Sequence, residues 1–179
     1  MIKEQFFNKW VFLLLLIIPA IGIIFNEPYY ITLATKVIIL GIAGIGLNLA
    51  LGYGGLISFG HAAFFGIGGY VAAIMSNHAL NGELLFEIPL AISGSSEMLI
   101  IWPLAIVISA FFSLLIGLLS LRTSGVYFIM ITLAFAQMLY YFSISWPSYG
   151  GEDGLSMHMR NTLPFINTMN PLNFFLICL

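Results

Sequence analysis

Apolar residues run along this chain in long blocks, and polar residues gather in the short stretches between them. The blocks are Trp10–Phe25, Tyr29–Leu51, Leu56–Met75, Met98–Leu121 and Val126–Trp146, and Pro171–Leu179 begins another. Crossing ~30 Å of hydrocarbon takes about 20 helical residues. The pattern therefore predicts an all-α fold: a polytopic membrane helical bundle with about five complete transmembrane helices and the start of a sixth. All of residues 1–179 form one transmembrane domain in this reading, and the chain stops inside a crossing, as if truncated. The first block is short and contains Pro19, and Lys3 and Lys9 precede it in the manner of a signal peptide. No small-residue cleavage site follows where Phe25, Asn26 and Glu27 stand, so it is read as a span.

Composition agrees with the pattern. The chain is 61% hydrophobic and 7% charged, with mean hydropathy +1.08, whereas a soluble domain has roughly a quarter of its residues charged. Seven acidic and five basic side chains cannot clothe a water-soluble surface. The formal net charge of -2 and the lack of any Lys/Arg cluster exclude a nucleic-acid partner, because phosphate binding needs clustered cations. The single cysteine, Cys178, rules out a disulfide or a paired-cysteine metal site within the chain. Lys and Arg favour the cytoplasmic side of a membrane. Placing the N-terminus inside puts Lys3, Lys9 and Arg122 in the cytoplasm and Glu27, Glu83, Glu87, Glu97, Glu152 and Asp153 outside, with Arg160 the one dissenter.

The stretch 41-GIAGIGLNLALGYGGLISFGHAAFFGIGGYVAAIMS-76 departs from an ordinary span. Small residues recur every fourth position at Gly46, Ala50, Gly54, Ser58, Ala62 and Gly66, a spacing that lets helices approach closely in lipid. Helix packing is also the expected role of Gly66, Gly68 and Gly69. It does not account for Gly52, Gly54 and Gly55, three glycines in four positions, where a continuous helix is disfavoured and the backbone is expected to break. A break at membrane depth is tolerated only where the freed N–H and C=O groups face protein or water, and transporters use interrupted helices to present such groups to a solute. Asn48 precedes the break. Ser58 and His61 come after it, and in a helix they would lie on one face. With Gln137 in a later span, they are the candidate walls of a substrate pathway. Taken alone, His61 is better accounted for by a core histidine bonded to a neighbouring carbonyl, and only beside the glycine hinge do the two readings draw level.

The run 47-LNLALGYGGLISFGHAAFFGIGGYVAAI-74 resembles the signature of the branched-chain amino acid permease subunits of bacterial ABC transporters, of the LivM and LivH type, and is closer to LivM. Two further blocks, 121-LRTSGVYFIMITLAFAQMLYY-141 and 150-GGEDGL-155, are similar to later segments of the same family. The resemblance covers Tyr29 to the C-terminus and implies a non-enzymatic subunit in the bacterial inner membrane that carries Leu, Ile or Val. It also implies a second permease subunit, two cytoplasmic ATP-binding subunits and an extracytoplasmic substrate-binding protein as partners. No GxxxxGK[ST] loop is present, which agrees with ATP hydrolysis on another chain. Permeases of this family are longer, so the chain corresponds to an N-terminal portion that lacks the loop expected to dock on the ATPase.

The remaining polar residues have ordinary explanations. Gln137 can hydrogen-bond across helices, and the Thr132 hydroxyl can bond back to its own helix. Trp10, Tyr29, Tyr30 and Trp146 sit where aromatic residues anchor spans at the interface. Gly150-Gly151-Glu152-Asp153-Gly154 lacks the ligand spacing of a calcium loop, and nothing pairs His78 with His158. No cofactor and no metal is expected. Three alternatives stay open: an ABC permease for urea or another small amide or amino acid, a structural membrane subunit without a pathway, and a membrane enzyme with Ser58 as nucleophile and His61 as base.

Overall fold

The computed structural model describes Trp10, Leu13, 15–22, Ile24, Phe25, 27–82, 84–86, 92–157 and 159–179. The expected span Trp10–Phe25 is helical at Trp10, Leu13, 15–22 and Ile24; Val11, Phe12, Leu14 and Ile23 fall outside the described residues, as do Lys3, Lys9, Glu83, Glu87 and His158. Four helices are long and apolar enough to cross a membrane: Pro28–Tyr53, His61–Asn81, Met98–Ser120 and Val126–Ile144. The chain is thus a helical membrane protein, with four candidate spans among the described residues.

The helices begin and end where local chemistry directs. Helix α1, Pro28–Asn48, starts on a proline, whose missing N–H has no partner to lose in a first turn. Helix α2, His61–Asn81, stops at Gly82, which turns left-handed (φ 68°) and donates its N–H to the His78 carbonyl, the usual way a glycine closes a helix. Helix α3, Met98–Ser120, follows extended Glu97. Helix α4, Val126–Ile144, follows the short turn ending at Gly125. Helix α5, Pro171–Cys178, has proline in its first turn and Asn170 before it, whose side chain accepts the Leu172 N–H, at 3.1 Å.

One expected boundary needs correction, and one connection adds a feature. The span expected at Leu56–Met75 begins five residues later and runs to Asn81. Its start is delayed because residues 55–60 are irregular. Its end is extended because polar Asn77, His78 and Asn81 stay helical, with Asn81 Nδ2 donating to Asn77 Oδ1 at 3.3 Å. The connection after α2 also carries two short strands, β1 (Leu84–Phe86) and β2 (Ile92–Ser93), paired antiparallel. A two-stranded hairpin in a loop leaves the bundle helical.

The chain divides into two compact units. One comprises the chain up to Ile45 together with Phe165–Leu179. Its core is Ile31, Ala34 and Ile38 of α1 with Phe175 of α5, flanked by Leu15, Ile18, Leu172 and Cys178. Here the cysteine packs as a small hydrophobe. The other unit, Gly46–Pro164, holds the interrupted segment, α2, α3, α4 and their connections. Within it α2 packs against α3 and α4. The connection before α3 is pinned to the segment after α4: Met98 N–H donates to the Thr162 carbonyl at 2.9 Å and Thr162 N–H to the Ser96 carbonyl at 2.8 Å.

Candidate functional site

Helix α1 does not run straight into α2. At Asn48 the α-helical pattern gives way to a π-helical turn, Leu49–Tyr53, in which carbonyls are reached from five residues on. The turn closes with Gly55 N–H donating to the Leu51 carbonyl and Leu56 N–H to the Ala50 carbonyl, each at 3.2 Å. Gly55 is left-handed, φ 61°, a conformation that a side chain penalises by about 1–2 kcal/mol. At Gly54 a Cβ would sit 2.6 Å from the Ala50 carbonyl oxygen. The chain then runs irregularly to Gly60, which leaves only 3.0 Å between a built Cβ and the Thr132 carbonyl oxygen of α4. Gly60 therefore fixes how closely the start of α2 approaches α4.

The polar residues around this segment do not converge. Asn48 is exposed, and its Oδ1 lies along its own helix, against Gly52. Ser58 is outside α2, with its Oγ accepting the Gly60 N–H at 3.2 Å, so the helical face expected to unite it with His61 does not form. His61 opens α2. Its ring meets Phe64 edge-on at 6.2 Å, and its Nδ1 is buried with no hydrogen-bond partner among the described residues. No hydrogen bond joins Ser58 to His61 among the described residues, so the nucleophile–base contact that an enzyme would use is not made. Thr132 behaves as its residue type suggests, donating to the Ile129 carbonyl at 3.0 Å.

A groove of about 600 Å³ lies between α2, α3 and α4, within the range of about 300–1,000 Å³ usual for small-molecule sites. Its walls are mostly aliphatic and aromatic: Ala62, Ala63, Gly66 and Ile67 from α2, Ile108 and Phe112 from α3, Leu133, Ala136 and Leu139 from α4. The lining residues that carry polar side-chain atoms are Tyr70, Gln137, Tyr140, Ser143 and Trp146. Ser143 is committed, donating to the Tyr140 carbonyl at 2.8 Å. Gln137 is exposed, and its amide makes no hydrogen bond with another described residue, which leaves one donor group and one acceptor available beside the apolar walls.

Of the four expected pathway residues, only Gln137 lines this groove; Asn48, Ser58 and His61 do not. Phe59 and Ala62, the neighbours of Ser58 and His61, do line it, so the interrupted segment abuts one end of the groove. Glycines expected to serve packing divide. Gly68 stands near Ser109 of α3, whereas Gly66 and Gly69 have open space where a Cβ would be, and Gly66 belongs to the groove wall. At the far end Phe142, Trp146, Tyr149 and His78 form a run of ring contacts. Sequence reasoning makes Trp146 an interfacial anchor and gives His78 no role. Phe142, Trp146 and Tyr149 recur at roughly helical spacing, and that periodicity is the signal it misses.

The family model described as "Branched-chain amino acid transport system / permease component" matches residues 29–178. A relative named as the high-affinity branched-chain amino acid transport system permease protein LivM of Salmonella typhimurium strain LT2 is 28% identical over 137 residues, covering 74% of this chain and 28% of the relative. The protein of the same name from Escherichia coli strain K12 is 28% identical over 134 residues, again 74% of this chain and 28% of the relative. The chain thus spans just over a quarter of the length of these relatives, 28% in each case. No solved structure matches it significantly. With the match running from the start of α1 through α5 and over every wall of the groove, the chain belongs to the permease-component family of branched-chain amino acid transport systems.

Proposed function

We propose that this chain forms part of the permease of an ABC importer that moves Leu, Ile or Val across the bacterial inner membrane, with its N-terminus in the cytoplasm. A second permease subunit, two cytoplasmic ATPase subunits and an extracytoplasmic binding protein complete the system, and the chemistry of ATP belongs to the ATPases. One observation carries the choice of solute: the groove is lined by aliphatic and aromatic side chains and offers a single uncommitted amide. Apolar walls favour a branched aliphatic side chain by about 0.8 kcal/mol per buried CH₂. The Gln137 amide can accept from an ammonium or donate to a carboxylate. The interrupted segment supplies backbone groups free of helical bonding next to Phe59, where the solute would leave the groove.

The test is uptake of labelled leucine by the assembled transporter in proteoliposomes. Gln137→Leu should raise the KM for leucine about tenfold, the loss of roughly one hydrogen bond, with unfolding temperature and subunit co-purification retained. Unchanged KM in that variant would remove Gln137 from the pathway. Urea, lacking an apolar body, should not compete with leucine; effective competition would redirect the assignment to small amides.

A further inference from the structure

We infer that Trp146 is the steric gate of the groove and sets the size of side chain admitted, and that Tyr149 and His78 are the positioning residues that hold it shut. This builds on the reading of the groove as the solute site. Trp146 and Phe142 line the groove, and their rings meet at 5.2 Å. Tyr149 and His78 stand behind them: the Tyr149 ring meets Trp146 edge-on at 5.2 Å, and its hydroxyl lies 3.2 Å from His78 Nε2 in a part-buried hydrogen bond.

The loop that carries these rings is closed on itself. Tyr149 N–H and Gly151 N–H both donate to the Trp146 carbonyl, at 3.1 and 3.2 Å, so Trp146 and Tyr149 belong to one knot of backbone. Gly94 also lies against the backbone of His78 and Ala79, so close that a side chain there would have no room. A hydrogen bond between residues so far apart in sequence ties the end of α2 to the loop after α4, across the groove's end. Trp146 itself remains 47% exposed although Phe142 and Tyr149 both touch its ring, so it keeps open space into which it can swing when the Tyr149–His78 bond is lost. A planar indole there leaves room for branched aliphatic groups and excludes aromatic ones.

The experiment reads the gate without relying on transport. In the assembled transporter in proteoliposomes, with Cys178→Ser, Ala136→Cys places a thiol on the groove wall, and its labelling rate is measured with a small and a bulky aromatic maleimide. Trp146→Ala should raise the bulky-to-small labelling ratio about tenfold, a typical size discrimination for an apolar site. Tyr149→Phe and His78→Leu should raise it in the same direction by less, and His78→Gln, which can still meet the hydroxyl, should restore the parent ratio. An unchanged ratio in Trp146→Ala overturns the inference. So does a parallel rise with both reagents, which marks a loosened bundle. Leucine uptake by the parent transporter is measured alongside: its absence would refute the proposed solute while the labelling ratio still decides the gate.

Discussion

A methyl group at position 60 has no free space to enter. The built Cβ stands 3.0 Å from the Thr132 carbonyl oxygen and 3.4 Å from the Thr132 Cβ, both part of a helix that cannot yield at small cost. Gly60→Ala should therefore destabilise the protein by about 1–3 kcal/mol, the usual penalty for overpacking, visible as a lower unfolding temperature in detergent. Gly55→Ala strains the backbone instead of the packing. Its penalty should be about 1–2 kcal/mol and smaller for Gly55→Asn, because asparagine tolerates the left-handed region. Thr132→Val, which removes only a hydroxyl already satisfied by its own helix, should shift the midpoint by less than either. The sequence exposes Gly52, Gly54 and Gly55 as helix breakers because glycine propensity is a local property. Gly60 escapes notice there because its requirement comes from α4, some seventy positions away along the chain.

At the level of elements, a polar residue's neighbours depend on where the helix resumes. Ser58 and His61 would share a face, as the sequence suggests, if α2 started at Leu56. With α2 starting at His61, Ser58 becomes the acceptor for Gly60 N–H. Boundary positions of this kind rest on a few hydrogen bonds and are poorly written in composition. Span positions rest on twenty or more side chains and are legible: Met98–Leu121 and Val126–Trp146 differ from the observed α3 and α4 by one or two residues at one end. The interrupted segment also separates two roles at this scale. If it moves with the solute, Gly54→Leu with Gly55→Leu should abolish leucine uptake while the subunits still co-purify. Loss of co-purification together with uptake would assign the segment to assembly.

For the molecule as a whole, lipid changes what burial is worth. Phe175 is 3% exposed and central to the core it forms with Ile31, Ala34 and Ile38. In a water-soluble core Phe→Ala would cost about 3–5 kcal/mol. Acyl chains are as apolar as the side chains they replace, so Phe175→Ala should lower stability by less than that range, through lost packing alone, when unfolding is followed in bilayers. The same reasoning explains why the groove is invisible in the sequence. A wall residue such as Leu133 or Ile108 and an exposed residue away from the groove such as Leu114 or Ile106 have the same chemistry, and only helix rotation distinguishes them.

The π-helical turn at Leu49–Tyr53 amounts to one surplus residue in an otherwise α-helical ladder. Excising a single residue there, Ala50 for instance, would let the ladder close with ordinary spacing and rotate the downstream backbone by about 100°, one residue's share of a 3.6-residue turn. The length of the chain between Asn48 and Gly54, rather than the chemistry of any side chain within it, thus sets the direction in which the Gly54–Gly60 passage is aimed.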